Sequence, residues 1–209
     1  MRTPICLSDM IMFDGLIAYA YYKEISEGVN KQTQPLQMSK DDLIDFRPMP
    51  IEHNDEHDYF YASWMLYNLD GLVEFTDSWK KRWASEFDQL ADFGGNKRKV
   101  RINNAKYKSY NMPMRMLDLD EVWFYFKSRE VSKVAHLIEK HVFGIGKKIS
   151  QGKGLFSGIH IEKTDYDPFK NIIRPILVTK EIGKGRETRM IGCRPPYWHP
   201  INQELCIVS

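Results

Sequence analysis

Cysteine is scarce: Cys6, Cys193 and Cys206 are the only three in 209 residues, too few and too scattered for a secreted disulfide framework or a four-ligand zinc site. Long apolar runs are missing as well. The longest uncharged, aromatic-rich stretch, Tyr59 to Leu69, falls far short of the ~20 residues that cross a bilayer. The opening MRTPICLSDMIMFDG meets Asp9 before any apolar core of signal-peptide length. No internal repeat, low-complexity tract, G-x-S-x-G elbow or His-Glu-x-x-His pair occurs. These absences point away from secreted, membrane-spanning and common hydrolase classes and toward a reducing, cytoplasmic setting without a cofactor or metal. What is present, 43% hydrophobic and 28% charged residues, suits a single globular domain over 1–209. At that size folding buries roughly 70% of the unfolded surface, so no covalent staple is needed.

The net charge of +2 conceals a segregation of charge along the chain. Residues 1–93 carry 8 basic and 17 acidic side chains, whereas residues 94–154 carry 14 and 5. A concentrated positive field attracts a polyanion whatever the total charge. The same pattern also fits a solvated basic face that pairs internally with the acidic first third.

Alternating Ile5, Leu7 and then Ile11, Phe13 predict an opening strand, stopped at Asp14-Gly15. Ile17, Tyr21 and Ile25 predict a following helix, with Asp14 as its cap and Gly28 at its end. Residues 28–58, with Pro35, Pro48 and Pro50 among acidic clusters, read as a surface connection or insertion. Tyr59–Asp70 and Leu72–Phe75 suggest strands joined at Asp70-Gly71. Trp79, Trp83, Phe87 and Leu90 recur at helical spacing and read as core packing. A basic stretch with Tyr107 and Tyr110 comes next, then a strand at 121–128 and a helix with Val131, Val134, Ala135, Ile138 and Val142 on one face. Residues 155–163 alternate as a last strand. The order strand, helix, strand, strand, helix, strand predicts an α+β fold of the ferredoxin-like, RNA-recognition-motif type.

The densest chemical signal is Gly144-Ile-Gly146-Lys147-Lys148-Ile-Ser150-Gln151-Gly152-Lys153-Gly154. It is not a Walker loop, because five residues separate Gly146 from Gly152 and Gly154 follows Lys153. Nor is it a dinucleotide fingerprint, which needs glycine where Ile149 stands and runs from strand into helix. Four glycines that permit close backbone approach, with three lysines among them, suit a phosphodiester backbone.

This loop resembles the signature loop of the RAMP superfamily, the RNA-binding proteins of CRISPR effector complexes. Phe13-Asp14-Gly15-Leu16-Ile17-Ala18-Tyr19, Lys106-Tyr107-Lys108-Ser109-Tyr110, Val122-Trp123-Phe124-Tyr125-Phe126 and Arg194-Pro195-Pro196-Tyr197-Trp198 are similar to elements of the type IV CRISPR RAMP protein that acts as the five-type subunit. The resemblance covers most of the chain outside residues 28–70. It implies a ferredoxin-like palm, a β-hairpin thumb over about residues 96–118, and capping of the 5′ handle of a guide RNA. The implied partners are that RNA, backbone and large subunits of the effector complex and, further out, target DNA. Candidate RNA contacts are Lys106, Tyr107, Lys108, Tyr110 and Arg115 in the thumb, and Gly144, Gly146, Lys147, Lys148, Ser150, Gln151, Gly152, Lys153 and Gly154 in the loop. Lysine and arginine suit phosphates and tyrosine suits splayed bases, although Tyr107 and Tyr110 also fit a core. No catalytic residue is expected. The alternative is a metal-independent endoribonuclease that processes guide RNA, with His53, His57 or His141 as candidates.

Overall fold

A computed structural model describes residues 1–7, 10–27, 44–81, 110–170, 173–178, 187–197 and 200–208. The described residues form a mixed α/β structure of small antiparallel sheets and two α-helices. Among the described residues, no helix is long and apolar enough to cross a membrane.

The first strand is brief: β1 comprises Ile5–Cys6. Helix α1 spans Phe13–Ile25 and buries Phe13, Asp14, Ile17, Ala18 and Ala20. Its N-cap is Met12, so Asp14 is not the expected cap but sits inside the first turn, fully buried. Two short strands, β2 (His53–Asn54) and β3 (Tyr59–Phe60), pair with each other. Residues 44–58 of the expected surface connection thus reach inward, with Met49 and Ile51 in the core.

Strands β4 (Val73–Lys81) and β5 (Tyr110–Asp118) form a long antiparallel ladder in unbroken register, from Val73 opposite Asp118 to Lys81 opposite Tyr110. Trp79 therefore belongs to a strand and not to a helix, and of the thumb expected over about 96–118 residues 110–118 form β5 while the rest lies outside the described residues. Strand β5 also pairs with β1, placing Ile5 opposite Leu117 and Cys6 opposite Met116. The other edge of β1 meets the glycine-rich loop: Lys147 N–H donates to Cys6 C=O at 2.9 Å and Gly154 N–H to Pro4 C=O at 2.8 Å. Across the sheet the order is therefore loop, β1, β5, β4.

The expected hairpin at Asp70-Gly71 does not form. Residues 61–66 pair instead with 123–127, through Ser63 N–H to Tyr125 C=O at 2.8 Å and reciprocal Leu66–Trp123 bonds at 2.9 Å. Bulky side chains on both segments favour that pairing because Ala62 and Phe60 enter the main core beside Phe124 and Phe126. The strand expected over 155–163 reduces to a bridge between Leu155 and Gly144. Helix α2 (Val131–His141) buries Val134, Leu137 and Ile138, while Val131 at its start stays exposed. Three C-terminal strands, β6 (Ile176–Leu177), β7 (Thr188–Gly192) and β8 (Gln203–Ile207), make a separate sheet with β8 in the middle.

Alternation along β1 and β5 divides the core. Ile5 and Leu117 face inward with Met65, Leu119 and Ile145, and the helices pack beyond them around Ile17, Val134 and Leu137. Cys6, Met114 and Met116 face the opposite way, where Trp79 closes over them. That second face holds the candidate site.

Candidate nucleic-acid interface

The loop after α2 is a packed turn. Ile145 N–H donates to Gly154 C=O at 2.8 Å, Gln151 N–H to Lys148 C=O at 2.8 Å, and Leu155 N–H to the Thr3 hydroxyl at 2.9 Å. These amides are engaged within the protein and do not cradle an anion. The glycines serve close approach: a Cβ on Gly154 would overlap the Ile145 carbonyl, and one on Gly146 would lie 2.6 Å from Cys6 O. Gly144 is equally confined, since a Cβ there would fall 2.8 Å from Gly154 O. Gly152 differs, with a φ of +80° and open space around it. Lys148 itself adopts a left-handed φ of 64°, which turns its side chain out of the loop just before a 3-10 turn over Ile149–Gln151.

Two of the three loop lysines reach the hairpin. Lys148 Nζ sits 2.9 Å above the Trp79 ring centre, and Lys153 Nζ donates to Asp77 Oδ2 at 2.8 Å. Asp77 and Trp79 are two residues apart on β4 and share one face. Tyr110, on the same face of β5, meets Trp79 edge-on with ring centres 4.9 Å apart. Phe75 and Met112 extend this face and are 40% and 50% exposed, a large apolar exposure beside two ammonium groups. The Lys153 bond, helped by the Ser78 N–H, holds the Asp77 carboxyl below the usual range.

The remaining candidates divide clearly. Lys147, Ser150 and Gln151 are exposed on the loop, and Lys147 has no side-chain partner among the described residues. Arg115 points to the opposite face of the hairpin, where it donates to both oxygens of Glu74 at 2.6 and 2.8 Å. That fork lowers the Glu74 carboxyl below its ordinary range. Lys106, Tyr107 and Lys108 lie outside the described residues.

Asp77 and Trp79 are site residues that sequence reasoning missed. The signal was available: Val73, Phe75 and Trp79 alternate with Glu74, Thr76, Ser78 and Lys80 at a strand period. Read as part of a helical stripe with Trp83 and Phe87, Trp79 lost that alternation.

The described histidines lie elsewhere, each beside carboxylates. His53 contacts Asp55 at 2.8 Å and Asp58 at 3.3 Å, and His141 contacts Glu24 at 2.5 Å between the two helices. His57 stacks on Tyr59 within the β2–β3 turn, so it does not share a helical face with His53. Among the described residues no group of three or more His, Cys, Asp or Glu could hold a metal ion. A separate groove of about 1050 Å³ runs between α1 and the C-terminal sheet, lined by Met12, Leu16, Tyr19, Met190 and Tyr197.

No protein-family model and no curated protein sequence matches the chain.

Proposed function

We propose that this chain is a guide-RNA-binding RAMP subunit of a type IV CRISPR effector ribonucleoprotein, a cytoplasmic assembly in which it holds the 5′ handle. The observation that carries the reading is the convergence of Lys148 and Lys153 with Trp79 and Tyr110 on one face of the β4–β5 hairpin. Ammonium groups for phosphates beside aromatic rings for bases are the two elements that single-stranded RNA recognition requires. The connectivity supports the same reading. With α1 after β1, α2 after β5, and the order loop, β1, β5, β4, the arrangement is compatible with a ferredoxin-like β-α-β-β-α-β unit in which the glycine loop stands where the fourth strand would be. In that frame β4 and β5 belong to the palm, most of the thumb expected over about 96–118 lies outside the described residues, and the backbone and large subunits, with target DNA beyond them, are the assembly partners.

The test is binding of purified protein to labelled CRISPR repeat RNA carrying the 5′ handle and to a scrambled RNA of equal length, measured over a salt series without divalent metal. The reading expects tighter binding to the handle and intact RNA after incubation. Equal affinity for both sequences points to a general single-strand binder. One defined cut in the repeat establishes the endoribonuclease alternative.

A further inference from the structure

The Lys153 ammonium and the Asp77 carboxylate meet at 2.8 Å on the face just described, with side chains 28% and 39% exposed. A phosphodiester oxygen arriving at Lys153 would need the position that Asp77 Oδ2 holds. We propose that Asp77 is a built-in competitor for RNA phosphate, so that binding exchanges one carboxylate for one phosphodiester at Lys153. The inference rests on the RNA-binding reading and adds regulation to the same site.

Three features carry it. First, the acceptor is of the right kind, because a carboxylate and a phosphate offer a lysine the same anionic oxygen geometry. Second, the pair is reachable: both groups border solvent, and exposed Phe75 and Met112 continue the face beside them. Third, the carboxylate is held for this position, since Asp77 Oδ1 also accepts the Ser78 N–H at 2.7 Å and cannot swing away without losing that bond. The Lys148–Trp79 contact beside it has the same character, for it covers with a lysine a ring on which a base could stack. The free protein thus keeps both cations and its ring on internal partners, which suppresses adhesion to unrelated polyanions. A ligand that supplies several phosphates at once overcomes this more readily than one supplying a single phosphate.

The experiment measures the Kd for repeat RNA against salt with wild type, Asp77→Asn, Lys153→Ala and the double variant. Asparagine preserves the Ser78 contact, and melting curves confirm that each variant is folded. The expected result is that Asp77→Asn binds roughly two- to fivefold tighter, the size of one exposed ion pair. Its salt slope rises by about 0.7, one full phosphate contact on a single strand. The double variant binds no tighter than Lys153→Ala, because without the lysine there is nothing to release. A gain that persists in the double variant reflects general removal of negative charge and overturns the proposal. So does unchanged or weaker binding by Asp77→Asn; if Lys147→Ala still weakens binding in that case, the RNA-binding reading survives alone. Absence of RNA binding by every protein in the set overturns both.

Discussion

The Tyr197 hydroxyl lies 2.8 and 2.7 Å from the two carboxylate oxygens of the buried Asp14, a part-buried contact across 183 residues of sequence. Arg174 completes it, with its guanidinium 3.5 Å from Asp14 and bonded to the Cys193 carbonyl at 2.8 Å, to Ala62 at 3.3 Å and to Phe60. Burial and the neighbouring carboxylate push the Tyr197 phenol well up, which keeps it a protonated donor. Gly15 completes the fit, because a Cβ there would press the Tyr197 ring at 3.1 Å. The Asp14-Gly15 and Pro196-Tyr197 elements, far apart in sequence, are thus two halves of one structural contact.

Removing Arg174 leaves the Asp14 carboxylate buried without its ionic partner. Arg174→Met is expected to destabilise by about 3–5 kcal/mol, the usual cost of breaking a buried ion pair. Tyr197→Phe removes a single donor to a carboxylate that keeps its arginine, so a smaller loss of about 1–3 kcal/mol is expected. Urea unfolding gives both values. Equal losses would mean that Arg174 contributes no more than the tyrosine.

The glycines of the loop separate in thermal unfolding. Gly154→Ala puts a methyl group into the Ile145 carbonyl and should abolish folding or lower the melting temperature drastically. Gly152→Ala meets open space and bears only the positive-φ penalty, about 1–2 kcal/mol per residue. Comparable melting temperatures for the two variants would refute the packing account of this loop.

Sequence patterning anticipated α1 and α2 well because both bury one face at helical spacing, and their termini fell close to the expected positions. It failed where pairing is non-local. Tyr59–Leu66 carries no mark that says its partner is 123–127 and not 72–75, since either choice satisfies the same local alternation. The lysines of the glycine loop were legible as a cationic cluster, but their partners Asp77 and Trp79 lie some 70 residues earlier and become neighbours only through the β1–β5–β4 sheet. Arg174, a lone arginine in an unremarkable stretch, gave no local sign of burial.

Acid should loosen the contact between the helices. Hydrogen bonds from His141 and Lys140 hold the Glu24 carboxyl down at about 2 against an ordinary 4.5. A depressed carboxyl contributes stability that is complete above the unfolded value and is lost as pH falls through the folded one. The unfolding midpoint should therefore decline as pH drops from about 4.5 toward about 2. Glu24→Gln should flatten that part of the profile, and a profile identical to wild type would remove Glu24 as its source.

The two faces of the hairpin make opposite predictions for RNA binding. Lys147 is exposed with no side-chain partner among the described residues, so a phosphate can reach it at no cost in internal bonds. Arg115 lies on the other face and would have to surrender two hydrogen bonds to Glu74. Lys147→Ala is accordingly expected to weaken binding to repeat RNA and to lower the salt slope by about 0.7, whereas Arg115→Ala leaves that slope unchanged. Both side chains are exposed, so neither change should disturb folding, and affinity can be compared without a stability correction. The comparison also locates the strand. A slope that falls with Arg115→Ala but not with Lys147→Ala would move the RNA to the Glu74 face, away from Trp79 and Tyr110, and would leave the loop lysines without a phosphate to meet.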